Sequence, residues 1–370
     1  MALKNNLMFI LTFLGLSAFT ADAKIVLPEL LTKQAVNNIR FLSQDGRYTY
    51  YQKRSGSLLF STNYKVQEML KGEIGTDYTL FATPARKKIA IIQNPNFHNF
   101  YSLRAKLNIY LTNYGESSVR EVGTGISPTL LLGDEWLSYY DPYTKILNFE
   151  NTINTVLKFS IKLNNKINSY FIPKVVMSDE NTVYYTDLNE DGVVGILEFK
   201  RNTSKSSIIF KAPSPMIKAE ICLNKEHLYV GLFGIHFSKH GSTISRVPLP
   251  IKDFSKREKI YSSEANDLGH LICDFDSDNL IFIKNNSLNG SPVYDVVNLQ
   301  IASKKISALT EQKTISNVLN MDGTLLTQEK GKYFIVKGDT DFKTIDTLKA
   351  HPVDAPGTKI KEMENELDNE

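Results

Sequence analysis

One phrase recurs seven times along this chain, and it limits the possible fold more than any other feature. A short apolar run is followed by a polar turn and a second apolar run, as in Ile39-Arg40-Phe41-Leu42, Ser43-Gln44-Asp45-Gly46 and Tyr48-Thr49-Tyr50-Tyr51. The second runs begin at Tyr48, Ile89, Trp136, Val183, Leu228, Leu280 and Leu325, at spacings of 41, 47, 47, 45, 52 and 45 residues. A repeat of four strands occupies about 40–50 residues. Each copy continues with a third and a fourth run, such as Ile196-Leu197-Glu198-Phe199 with Ser207 to Phe210. These runs are rich in Ile, Val, Tyr, Phe and Thr and are bounded by Asn, Asp, Gly and Ser, which is the composition of strands and turns. Sustained 3.6-residue periodicity is hard to find after the first 23 residues.

Seven units of four strands predict an all-β fold, a seven-bladed β-propeller of four-stranded blades. One twisted four-stranded sheet cannot bury both of its faces alone. Stacking sheets around an axis covers each face with a neighbour and leaves only short edges. A pair of β-sandwiches also has evenly spaced strands, but it does not repeat one turn at this period. Ring closure stays open: Ile25-Val26-Leu27 can add an outer strand to the last blade, or the last copy can complete its own.

The ends of the chain have a different character. Lys4 precedes an apolar stretch from Leu7 to Phe19, and Ala21-Asp22-Ala23 gives a small-x-small cleavage pattern. This predicts a secretory signal peptide over 1–23, because 13 positions fall short of the roughly 20 that a spanning helix needs. Residues 24–350 are then a single propeller domain, expected to be exported to the periplasm or secreted. Residues 351–370 carry six acids and two lysines and read as a disordered acidic tail. The whole chain is +3, which leaves the rest at about +7. That is too mild for a nucleic-acid binder. Cys222 and Cys273 are the only cysteines. Each lies in a short apolar stretch, and they are expected to be two separately buried thiols.

An apolar pair, then Ser-x-Asp-Gly, then an apolar strand is the signature of TolB-like propellers, relatives of the WD-repeat propellers. Leu42-Ser43-Gln44-Asp45-Gly46 and Asn320-Met321-Asp322-Gly323 resemble it most. The other five copies keep the turn and lose the Asp-Gly. The resemblance covers about Ala35 to Leu348 as a loose repeat and implies the propeller part of that family only. TolB itself has six blades and a separate N-terminal domain, for which this chain has no room. The family's own role therefore does not carry over.

Several residue groups invite a chemical reading. Asp187-Leu188-Asn189-Glu190-Asp191-Gly192 matches the first half of a calcium loop, with Asp187, Asn189 and Asp191 as candidate ligands. Strands rather than helices flank it, and a hairpin turn favours the same residues for backbone reasons. His236 and His240 would lie about 13 Å apart on a strand, too far to share one metal. Asp274, Asp276 and Asp278 read as a solvated strand end. Paired tyrosines such as Tyr139-Tyr140 and Tyr184-Tyr185 suit either a sugar platform or packing between blades. The insertion from Gln93 to Ala105 carries Phe97, His98, Phe100 and Tyr101, the best local candidates for a partner contact. No Gly-x-Ser-x-Gly, phosphate loop, dinucleotide fingerprint or Cys-x-x-Cys is present.

The expected function is protein–protein binding in the cell envelope by a monomeric, non-catalytic propeller. No cofactor is required by the sequence, and calcium at Asp187, Asn189 and Asp191 is the candidate. The alternative is a lactonase-like or lyase-like propeller that binds or transforms a small molecule at its central channel. That version needs polar groups such as Arg40, Lys174 and Glu220 to converge on the axis.

Overall fold

The computed structural model describes the chain from Ile39 to Thr344, apart from 43–48, 54, 63–64, 84, 86, 95–106, 165–170, 236–238, 274–278, 286–293, 309–316, 322–323, 330–331 and 337–341. For 39–42, 49, 294, 317–321, 324–329, 332–336 and 342–344 it describes the backbone alone. The first sheet is β1 (Ile39–Leu42), β2 (Thr49–Gln52), β3 (Leu58–Ser61) and β4 (Val66–Leu70). The second is β5 (Asp77–Ala82), β6 (Lys88–Asn94), β7 (Asn108–Asn113) and β8 (Arg120–Thr124). The third is β9 (Ile126–Leu131), β10 (Trp136–Asp141), β11 (Ile146–Asn151) and β12 (Lys158–Lys162). The fourth is β13 (Val175–Asp179), β14 (Thr182–Leu188), β15 (Val194–Lys200) and β16 (Lys205–Lys211). The fifth is β17 (Ile217–Leu223), β18 (His227–Gly234), β19 (Ser242–Pro248) and β20 (Glu258–Ser263). The sixth is β21 (Gly269–Cys273), β22 (Asn279–Asn285), β23 (Tyr294–Gln300) and β24 (Lys305–Ala308). The seventh is β25 (Asn317–Met321), β26 (Thr324–Glu329), β27 (Lys332–Val336) and β28 (Phe342–Thr344).

Each sheet is an antiparallel meander of four consecutive strands. The first strands stand beside one another from sheet to sheet: β1 by β5, β5 by β9, β9 by β13, β13 by β17 and β17 by β21. This radial order of meanders, inner strand to inner strand, is the architecture of a β-propeller. β25 lies against β5. The seventh sheet has four strands of its own. Ile25-Val26-Leu27 lie outside the described residues.

The reason for the stacking is visible in the burial. Second strands are covered on both faces, and β14 is buried at every position from Thr182 to Leu188. Fourth strands form the outer edge, and β16 is exposed over its first four residues. An apolar layer fills each gap from the first sheet to the sixth. Tyr50 and Phe60 meet Tyr78 and Ile89, while Ala90 and Leu111 meet Leu130 and Leu137. Trp136 and Phe149 meet Val183 and Phe199, Tyr184 and Ile196 meet Leu228 and Val230, and Tyr229 and Ile244 meet Leu280 and Phe282. The tyrosines at Tyr50, Tyr140, Tyr184 and Tyr185 belong to this packing, each at most 2% exposed.

Buried carboxylates tie neighbouring sheets where apolar layers end. Asp134, in the β9–β10 turn, accepts N–H bonds from Lys87 (3.0 Å) and Lys88 (3.2 Å) of the preceding sheet. Asp187, near the end of β14, accepts from the N–H of Asn164 at 2.7 Å. Asp267 accepts from the Tyr261 hydroxyl at 2.8 Å and the Asn285 N–H at 2.7 Å. Sequence reading kept the two cysteines apart, and the structure corrects this. Cys222 on β17 and Cys273 on β21 form a disulfide with their Cα atoms 5.6 Å apart, because the two first strands run side by side.

The meander fixes which loops share an end. First and third strands run one way, second and fourth the other. The connectors into each first strand therefore lie at the same end, here called the upper end, as the loops between second and third strands.

Candidate functional site

Three adjacent first strands bring a charged cluster to the upper end. Lys174 stands immediately ahead of β13, Lys218 and Glu220 lie in β17, and His270 is the second residue of β21. The Lys174 N–H donates to Thr186 Oγ1 at 2.9 Å, and its carbonyl accepts from the Thr186 N–H at 3.0 Å, which clips it to the second strand of its sheet. Glu220 is 2% exposed. Its Oε2 accepts from the Leu271 N–H at 2.7 Å, and its Oε1 pairs with Lys218 Nζ. β21 begins with an irregularity: Gly269 and His270 both have left-handed backbone (φ +82° and +56°) and the pairing with β22 shifts register there. A Cβ on Gly269 would stand 2.9 Å from the Phe233 ring and 3.2 Å from Glu220. Glycine thus lets β21 come close enough for the Leu271 N–H to reach the carboxylate, and the bulge re-aims His270.

The electrostatics follow from this placement. Burial raises the pKa of Glu220, but Lys174, Lys218 and the Leu271 N–H outweigh it and hold the carboxyl below its ordinary value. The enclosing protein lowers the His270 pKa, the two lysines lower it further, and Glu220 opposes them. His270 is exposed to solvent. The cluster thus favours an ionised Glu220 and disfavours the protonated form of His270.

Exposed apolar side chains stand in the connectors just ahead of this cluster. Ile172, Met216 and Leu268 each stand two residues ahead of Lys174, Lys218 and His270, in three successive connectors, and are 41%, 42% and 40% exposed. Ile235, in the β18–β19 loop, is 46% exposed, and its N–H donates to the Met216 carbonyl at 2.8 Å. Ile74 and Tyr143 are exposed at the same end. Among the described residues the lower end shows one such group, Ile153, Val156 and Leu157, in a single loop.

The sequence-predicted residues fare differently. Lys174 is near enough to Glu220 to act on it electrostatically. Arg40 lies on β1, where only the backbone is described. In the candidate calcium loop, the Asp187 oxygens are engaged by the N–H groups of Asn164 and Leu188. Asn189 Oδ1 accepts from Asp191 (3.0 Å) and Val193 (2.8 Å), closing the turn on itself. Glu198, at the twelfth position, pairs instead with Lys200 and the Tyr184 hydroxyl. Among the described residues no three His, Cys, Asp or Glu side chains gather as a metal site. Phe97, His98, Phe100 and Tyr101 lie outside the described residues, as do His236, Asp274, Asp276 and Asp278; His240 is exposed. Lys218, His270 and the three connector residues were not singled out from sequence. The signal available was their matching offset in consecutive copies.

No protein-family model and no curated protein matches the chain. Among solved structures, tricorn protease superposes with TM-score 0.60 at 11% identity over 85% of this chain and 35% of its own. The chain thus spans about a third of that protein. An oligogalacturonate lyase in complex with manganese superposes with TM-score 0.52 at 11% identity, over 84% of this chain and 85% of its own. TolB from Acinetobacter baumannii covers 80% of this chain and 78% of its own at 12% identity and TM-score 0.47. Identities this low speak for fold and not for function. Tricorn protease and the lyase share with this chain the β-propeller fold described above.

Proposed function

We propose that this chain is an exported, non-catalytic, seven-bladed propeller that binds a protein of the cell envelope through its upper end. The observation that carries the reading is the set of exposed apolar side chains, Ile172, Met216, Ile235 and Leu268, near the Lys174–Lys218–Glu220–His270 cluster. Apolar anchors beside a few fixed charges are what protein partners use. The Cys222–Cys273 disulfide supports export, since such bonds persist in oxidising compartments. We include Phe97, His98, Phe100 and Tyr101, from the segment that joins β6 to β7, in the proposed partner contact.

The channel-enzyme reading has the nearness of Lys174 to Glu220 in its favour. Glu220, however, is ionised, buried and already bonded to Leu271 and Lys218. A general acid or base needs a pKa near the working pH and a free reach to substrate. Binding therefore fits this cluster better than proton transfer.

The test is crosslinking of tagged protein in its native envelope, followed by mass spectrometry of what co-purifies. One dominant partner is expected near equal stoichiometry with the parent chain, and its recovery should drop at least several-fold with Met216→Ser plus Leu268→Ser. Equal recovery by the double variant, or recovery of the bait alone, overturns the proposal.

A further inference from the structure

The charged cluster on β13, β17 and β21 is unevenly paired. Glu220 is its one carboxylate, and both of its oxygens are engaged: Oε2 accepts from the Leu271 N–H at 2.7 Å, and Oε1 pairs with Lys218 Nζ. Lys218 Nζ also reaches the Leu268 carbonyl at 3.5 Å. Among the described residues, neither the Lys174 ammonium nor the His270 ring has an ion pair or a hydrogen bond. The charges that bear on His270 are Glu220, Lys218 and Lys174. Two ammonium groups therefore share one carboxylate, and one positive charge is left over. Lys174 is half-buried, while Lys218 and His270 are exposed, so the surplus is within reach of a ligand. An ammonium without a counter-ion beside an unbonded imidazole is a ready receptor for an anion. The apolar residues repeat in step with it: Ile172, Met216 and Leu268 stand two residues ahead of Lys174, Lys218 and His270, and all three are exposed.

We infer that Lys174, Lys218 and His270 receive a carboxylate, carried by an acidic side chain of the partner that apolar residues flank. This rests on reading the upper end as a partner-binding surface, and it names the chemistry of the segment that binds there. The incoming carboxylate supplies the missing counter-charge: Lys174 donates to it, His270 adds an imidazole N–H, and Lys218 is shared with Glu220. The flanking apolar residues cover Ile172, Met216 and Leu268. A basic segment would meet the surplus charge with its own, and Glu220, 2% exposed, has no open face to offer it. A free small carboxylate would satisfy the charges but leave the apolar residues uncovered, so a peptide segment fits better.

The test follows the His270 ring by NMR in the full chain carrying isotope-labelled histidine. The chain has six histidines, and the His270 signals are identified by their loss in His270→Gln. Three probes are titrated: the capped peptide acetyl-Leu-Asp-Leu-amide, its asparagine counterpart, and acetate. The aspartyl peptide is expected to shift the His270 signals and to bind at least several-fold more tightly than either of the others. Lys174→Gln should remove most of that preference, and Lys174→Arg should keep it. The Lys174 ammonium has no partner to orphan, so both variants should retain the parent's far-UV circular dichroism and Tm. The preference should also shrink in roughly 0.5 M salt, where the Debye length drops to a few Å. Equal binding of the two peptides, an unmoved His270, or a Lys174→Gln variant that binds like the parent overturns the inference. Acetate binding as tightly as the aspartyl peptide overturns the peptide source in favour of a free small carboxylate. The titration needs no partner, so the two readings fail separately. Partner capture that depends on Met216 and Leu268 without any aspartyl preference removes only the carboxylate site. An aspartyl preference with no partner recovered removes the envelope protein and keeps the site.

Discussion

Glu220 is an ionised carboxylate held in a nearly dry place, and its neighbours make that tolerable. Glu220→Gln keeps an acceptor for the Leu271 N–H but leaves Lys218 and Lys174 without their counter-charge. A loss of about 1–3 kcal/mol is expected in urea unfolding at neutral pH. The sign of its pH dependence follows from the lowered pKa. A depressed carboxyl contributes stability above its unfolded value near ~4.3, and that contribution disappears as pH falls through the folded value. The gap between parent and variant should therefore narrow below about pH 4; a constant gap would show that the loss is steric. The Asp187–Asp191 loop gives a second residue-scale prediction. Its oxygens already serve backbone N–H groups, so millimolar calcium should leave Tm unchanged. A calcium-dependent rise in Tm would show that the loop gives up those bonds for the ion.

Between elements, the Cys222–Cys273 bridge joins the first strands of the fifth and sixth sheets across 51 residues of sequence. Cross-linking a loop of that length stabilises by about 2–4 kcal/mol, chiefly by restricting the unfolded chain. Cys222→Ser with Cys273→Ser should lower the urea midpoint accordingly, while the m-value and far-UV circular dichroism stay the same. An unchanged midpoint would mean that the sheet interface alone, with Tyr229 and Leu280 at its centre, determines local stability. The bridge was legible in a way that cysteine counting misses. Both residues lie at the end of the first run in successive copies, Cys222 six residues before Leu228 and Cys273 seven before Leu280. Neighbouring repeats place such positions side by side.

For the whole molecule, the continuous apolar layers from the first sheet to the sixth couple the sheets in series. Trp136 is the only tryptophan and is fully buried between the third and fourth sheets. If the stack unfolds as one unit, its fluorescence and the far-UV circular dichroism share one denaturant midpoint. Separate midpoints would show sheets melting independently, as units of a repeat array do when their interfaces are weak. The upper end is itself a property of the whole molecule: Ile172, Met216 and Leu268 are about 50 residues apart in sequence and become one surface through the radial order of the sheets.

The sequence alone determined the repeat, the strand count per repeat and the turns. The seven second runs begin within one residue of β2, β6, β10, β14, β18, β22 and β26. Burial on both faces forces continuous apolar runs, and polar turns must interrupt them, so this information is local. Single residues in the first strands were legible only in part. Lys174 and Glu220 were noticed as polar groups near an axis, whereas Lys218, His270, the disulfide and the apolar connectors were not. Their significance depends on which copy neighbours which, and on a bulge at Gly269–His270 that no periodicity announces. Tertiary structure decided those, because a site assembled across three sheets consists of distances between segments that the chain order keeps far apart.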